Sequence, residues 1–366
     1  MRKSSAMPVS VSPMLMRWFA FALACAVALG ETRDCDAATF CVKTSAQFKS
    51  ALGSSQGNGE DNTIYVKSGE YALNTDLGDG LAYGALAGHA LTLIGSIDDV
   101  SVCPPANPVP DLAGAGTTLD GQHAVRPLQI SSGDHVEIRG FTFVAGLSGP
   151  LNGQGGGLEV SGQDVVIRYN SFIGNHATGV SGEGGAVSGF ASTTISFIDN
   201  LIAANHGTTV GGVDIYGTNG GEVSGNTITG NITDDVSLPG GMLLSGGGNA
   251  SFSIVNNIIW NNHASGGTDL GVHTAQTRAT NDLYFPLTPG STSAGFTSDV
   301  SVDPQFESCG LCLSFELAAA SPLIDAGTYQ NYPTDLAGKP RVIGPHIDIG
   351  AFENIAGDFI FADDFQ

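Results

Sequence analysis

The sequence predicts an all-β chain wound as a right-handed parallel β-helix, with a short N-terminal capping helix and a β-rich C-terminal closing module. Three observations carry that reading. The segment Ile138–Gly146 returns as Ile167–Asn175, Phe197–Asn205, Val223–Asn231 and Ile254–Asn262, at successive offsets of 29, 30, 26 and 31 residues. Such a period, filled with β-branched residues, Gly and Asn, marks an architecture of stacked repeats. The copies also keep their chemistry column by column. Ile138, Ile167, Phe197, Val223 and Ile254 share one apolar column, and Phe143, Phe172, Ile202, Ile228 and Ile259 share another. Phe141, Asn170, Asn200, Asn226 and Asn257 form a third, and Gly146, Asn175, Asn205, Asn231 and Asn262 a fourth. Like stacking on like is what a parallel coil with rungs about 4.8 Å apart demands, whereas an antiparallel sandwich has no need of constant columns. Finally, 13% charged residues and 52 glycines leave the polar surface to Asn, Ser, Thr and Gly, as suits a large β-surface with many turns.

The elements follow in order. Residues 1–30 read as a secretory signal, with Arg2, Lys3 and Arg17 before an apolar run from Trp18 to Leu29, and small residues in Ala28-Leu-Gly30 for cleavage before Glu31. The run is shorter than the roughly 20 residues a membrane span needs. Residues 39–62 form an N-terminal cap, in which Thr44 or Ser45 starts a helix through about Leu52 with Phe48 and Leu52 on one face. It would protect the first open strand edge.

The coil runs over 63–299. Thr63–Leu73 gives two short strands about a turn at Ser68-Gly69, Leu91–Ile94 another, and the Pro- and Gly-rich stretch Cys103–Gly116 a loop. Upstream of the later copies lies a second strand, seen in Leu158–Gly162, Ala186–Gly189, Val213–Gly217 and Met242–Gly246, so each rung carries at least two strands. Asn at a bend tolerates the left-handed region and can bond to the rungs above and below.

Loss of residues 1–30 removes three basic and no acidic residues, taking the formal charge from 13 − 35 = −22 to 10 − 35 = −25. That surface repels nucleic acid and anionic lipid and excludes both as partners. In an oxidising compartment close cysteines pair locally, so Cys35 is expected to bond Cys41 and Cys309 to bond Cys312, with Cys103 left over.

Beyond the repeat, residues 300–353 hold Val300–Phe306, Phe315–Gly327, Asp335–Arg341 and His346–Glu353. At these motifs the chain resembles the secreted β-helix proteins with a choice-of-anchor Q C-terminal region, which overlap the polymorphic outer-membrane protein repeats. The resemblance implies a bacterial protein that is secreted or attached to the outer cell surface. The acidic-aromatic tail at 354–366 has no apolar helix with a basic stop, so no membrane span is expected once the signal is removed.

Several residues invite chemistry. Arg139 and Arg168 share an outward column, with Tyr169 placed to stack on a sugar and Asp199 near in register; an outward Arg beside carboxylates is the apparatus of a polysaccharide lyase. His176, His206 and His263 share a turn column that could bind carbohydrate or metal. Asp325, Asp335 and Asp348 offer oxygen ligands for Ca²⁺, or else satisfy turns around Arg341 together with Glu353. The paired acids of a glycoside hydrolase are not evident. The expectation is therefore a monomeric, non-enzymatic protein that is structural, adhesive or polysaccharide-binding, with an extracellular polysaccharide or surface protein as partner and no cofactor. The alternative is a lyase or hydrolase acting on an acidic glycan, with Arg168, Asp199 and His206 as catalytic candidates, Arg139, Tyr169, His176 and His206 as carbohydrate contacts, and Ca²⁺ as the cofactor.

Overall fold

A computed structural model of the chain describes residues 37–355, apart from 86–87, 115, 150–152, 180–182, 236, 263–268, 274–275, 281–295, 298–301 and 309–312. The fold is the predicted parallel β-helix, a solenoid of about seven turns. Among the described residues four rungs carry three strands and a short corner strand. In one rung these are Val165–Arg168, Ser171–Ile173, His176–Ala177 and Val187–Ala191. Stacked rung on rung, they give three faces and a narrow corner strip, all parallel. The first face contains Val136–Arg139, Val165–Arg168 and Ile195–Ile198. The second contains Phe141–Val144, Ser171–Ile173, Leu201–Ala203, Thr227–Thr229 and Ile258–Trp260. The third runs through Leu128–Ser132, Leu158–Gly162, Val187–Ala191, Val213–Gly217 and Met242–Gly246.

The repeated nine-residue phrase is thus two strands, not one, with a bend in its middle. The bend comes from the residue before each member of the Phe141–Asn257 column: Gly140, Tyr169, Asp199, Gly225 and Asn256 all have positive φ. The next bend repeats the device at Ala145, Gly174, Ala204, Gly230 and Asn261. The column asparagines themselves do different work, because they are buried and bond from rung to rung. The Asn200 amide donates to the Ile167 carbonyl (2.9 Å), while its Oδ1 accepts the Asn170 N–H (3.0 Å). Asn205 does the same with Phe172 (2.9 Å) and Asn175 (2.9 Å). Backbone groups stranded by the bends are satisfied inside the fold, so the ladder makes tight corners affordable in a dry interior.

The apolar columns merge into one core from Val42 to Leu270. Phe143 and Phe172 stack across rungs at 4.6 Å. At the N-terminal end, helix α1 (Ser45–Ser55) is capped by Thr44, whose Oγ1 accepts the Gln47 N–H, and Phe48 and Leu52 are fully buried. The helix runs three residues beyond the expected end.

The disulfide expectation is overturned at Cys41. It bonds Cys103, with Cα atoms 5.8 Å apart and a sequence separation of 62. The Pro-rich loop folds back over the outer side of the first face, where Ile94, Ile97 and Val100 pack with Cys41 and Tyr65. Loop residues returning to an edge strand make a distant thiol the spatial neighbour. Cys35, Cys309 and Cys312 lie outside the described residues, as do residues 1–30, where a signal is expected, and the tail after 355.

The C-terminal module contributes one antiparallel pair, Phe306–Ser308 with Leu313–Leu317, and otherwise turns. It lies along the flank of the coil, against the outer side of the second face. Leu336 and Ala351 pack on Tyr169, Leu201 and Ala203; Leu317, Leu323 and Ile349 pack on Ile258. Backbone and side-chain bonds pin it there: Gly350 N–H to the Asn256 carbonyl (2.9 Å), and Ala351 N–H to Thr227 Oγ1 (3.0 Å). Covered on both sides, strands Leu201–Ala203 and Thr227–Thr229 are buried at every position.

Candidate functional site

With the second face covered, the first and third present outward side chains. On the third face the period-2 alternation sends Leu158, Val160, Val213 and Ile215 inward and Glu159, Ser161, Asp214 and Tyr216 outward. Parallel register then assembles two outer columns. One reads Gln129, Glu159, Ser188, Asp214, Leu243; the other reads Ser131, Ser161, Phe190, Tyr216, Ser245. From Glu159 and Ser161 onward they line a groove of about 430 Å³, joined by Gln154 and Glu183 from the turns that lead into the face. A second concavity of about 500 Å³ continues the first column past Arg126, Gln129 and Ala82.

Two chemistries meet in the groove. Phe190 and Tyr216 stack nearly flat, with ring centroids 5.3 Å apart, and Phe190 is 48% exposed. A large exposed aromatic on a β-face is a platform without a protein partner above it. Beside it stand three carboxylates. Glu159 pairs with Arg126 at 2.5 Å, and Arg126 Nε also donates to the Gly155 carbonyl (2.8 Å). Glu183 accepts from Gln154 Nε2 at 3.1 Å. Asp214, recessed between Ser188 and Leu243, is pushed up to about 7, first by burial and then by the charge of Glu183. No hydrogen bond to its carboxyl is made among the described residues.

The residues singled out from sequence are placed in three separate settings. Arg139 and Arg168 are in register on the outer side of the first face, where Glu137 bridges them, at 3.5 Å from Arg139 and 2.6 Å from Arg168. Tyr169 is 7% exposed beneath Leu336 and Ala351, so the C-terminal module closes its ring to a sugar. Asp199 is fully buried, 3.4 Å from Arg341, and is raised to about 7 by burial against the opposing pull of that guanidinium. His206 belongs to the corner strip, stacked on His176 at 4.5 Å and 2.9 Å from Asp234. Burial, then the neighbouring His206, lowers His176. Arg168, Asp199 and His206 therefore form no common accessible site, and His263 lies outside the described residues.

The C-terminal carboxylates are occupied by backbone amides. Asp335 accepts N–H groups from Ala337, Lys339 and Glu353 at 3.0, 2.7 and 2.8 Å. Asp348 accepts from Asp325 and Asn354, both at 2.8 Å, and Asp325 accepts from His346 at 3.1 Å. Arg341, 1% exposed, reaches Glu353 at 3.0 Å and the Gly350 carbonyl at 2.6 Å. Among the described residues no cluster of three His, Cys, Asp or Glu side chains is arranged to hold a metal ion. These groups fold the module and bind it to the coil.

Sequence reasoning passed over Glu159, Glu183, Asp214, Phe190 and Tyr216. The signal was present in the alternation of Leu158-Glu-Val-Ser-Gly162 and Val213-Asp-Ile-Tyr-Gly217, whose even positions must face outward together. Comparison with known proteins finds no matching family model, curated protein or solved structure.

Proposed function

We propose that this chain is an exported β-helix protein that holds a neutral polysaccharide along the third-face groove. The observation that carries the reading is the stacked, exposed Phe190–Tyr216 platform set among hydrogen-bonding carboxylates and serines in an elongated groove. Sugar rings combine an apolar face with a rim of hydroxyls, which is what such a lining complements. Parallel rungs repeat every 4.8 Å or so, so the surface suits an extended polymer. Glu159, Glu183 and Asp214, with a chain charge of −22, disfavour an acidic glycan. The signal-like N-terminus and the choice-of-anchor Q resemblance support export to the cell surface or beyond.

The test is retention on cellulose, starch granules, xylan, mannan and arabinogalactan, comparing the parent chain with Phe190→Ala/Tyr216→Ala. Retention on a neutral polymer should fall by about five- to 150-fold in the variant, given roughly 0.5–1.5 kcal/mol per ring contact. Equal retention by both proteins would remove the groove from the binding surface. Retention by none of these polymers would leave the adhesive reading, with a surface protein as partner.

A further inference from the structure

The groove holds more than a binding platform requires. Rings and hydroxyls suffice to hold a sugar, yet a half-buried carboxyl with no hydrogen-bond partner among the described residues lines the same space. Burial, and then the neighbouring charge of Glu183, raises its proton affinity, and packing does not explain that placement. The fully buried acid Asp199, by contrast, has Arg341 as its counter-ion and is sealed from solvent. Asp214 has neither.

We propose that the third-face groove hydrolyses a glycosidic bond of the neutral polysaccharide it holds, with the Asp214 carboxyl as general acid and the Glu183 carboxylate as general base. The inference rests on the polysaccharide reading above. Asp214 gives its proton to the departing glycosidic oxygen as the bond from the anomeric carbon to that oxygen breaks. Water forms the new bond to the anomeric carbon and yields a proton to Glu183. Exchange with solvent returns Asp214 to its protonated and Glu183 to its ionised form. No oxidant, reductant or metal enters the balance.

The assignment of roles follows from the surroundings. Glu159 is held by Arg126 at 2.5 Å, which fixes it as part of the groove wall. The Glu183 carboxylate accepts from Gln154 alone among the described residues, lines the same groove and exerts its charge on Asp214. Ser188 and Leu243, the register neighbours of Asp214, carry no charge. An acid with raised proton affinity and a second carboxyl lining the same groove are the pair of groups that glycoside hydrolysis requires.

The experiment uses the full chain on whichever neutral polymer retains it, following new reducing ends and polymer length. The parent should release reducing ends, with a rate that declines as pH rises through about 7, where Asp214 loses its proton. Asp214→Asn and Glu183→Gln should each lower the rate by about 10²–10⁴-fold while retention on the polymer persists. Phe190→Ala should raise KM more than it lowers kcat. A polymer that is retained but never cut overturns the hydrolysis inference and leaves the binding reading standing. Full activity in Asp214→Asn, with the fold checked by circular dichroism, overturns the assignment. Failure to bind any neutral polymer removes both readings together.

Discussion

Asp199 and Asp214 lie on the same rung, and each has its pKa raised to about 7, chiefly by burial. Their settings are opposite. Asp199 sits at the bend between the first and second faces, sealed by the C-terminal module and facing Arg341. Asp214 stands on the open third face, with a groove before it and Glu183 as its charged neighbour. A raised proton affinity therefore does not by itself mark a functional site. What separates structural from chemical use is access, together with the sign of the nearest charge.

The largest test of this contrast removes the sealed counter-ion. Arg341→Ala leaves Asp199 and Glu353 buried without it and should cost about 3–5 kcal/mol in urea unfolding. At temperatures where the variant stays folded, polysaccharide retention should be unchanged, because the groove is on another face. Loss of retention in the folded variant would show the two regions to be coupled. Gly225→Ala attacks the same contact from the coil. Its φ is +64°, and an added Cβ would come within 2.0 Å of Asp199 Oδ1. The expected cost is about 1–3 kcal/mol, from the left-handed backbone and displacement of that carboxylate.

A smaller effect separates the two acids by pH. An acid whose pKa is higher in the folded than in the unfolded chain makes the folded state bind more protons between the two values. Stability then declines as pH rises from about 4 to about 7 and levels off beyond. Asp214→Asn should flatten this decline while leaving stability below pH 4 unaltered. Denaturant melts at pH 4, 6 and 8 read it directly; an undiminished slope would mean that the Asp214 carboxyl is solvated. The smallest effect is on the platform: Phe190→Ala should alter stability by less than about 0.5 kcal/mol, since its ring is half exposed.

The core was legible because it repeats. Ile138, Ile167, Phe197, Val223 and Ile254 recur for one reason, that each rung must fill the same space, and the Asn columns recur because each bend strands the same backbone groups. The groove was not legible by that test because its first column changes from Glu159 to Ser188 to Asp214. In a solenoid, repetition records packing, and chemistry resides in the outward positions where rungs differ. The His176–His206 column repeats and so attracted attention, yet it sits apart from the groove-lining carboxylates. Asp335, Asp348 and Glu353 around Arg341 are close in sequence, but Asp199, the other partner of Arg341, lies 142 residues earlier, and local spacing carries no trace of that contact. Cys103 escaped for a similar reason, since proximity in the chain favoured Cys35 for Cys41.

The clasp between Arg341 and Asp199 also sets an order of events. A coil can wind progressively as its rungs emerge, since each strand needs only the one before it. The outer side of the second face, with Leu201, Ala203 and Ile258, stays uncovered until the last fifty or so residues of the chain arrive and dock. Completion is therefore signalled from the C-terminus. A chain halted short of Glu353 would present an oily strip along a wound coil, a surface that quality control or a neighbouring chain can seize.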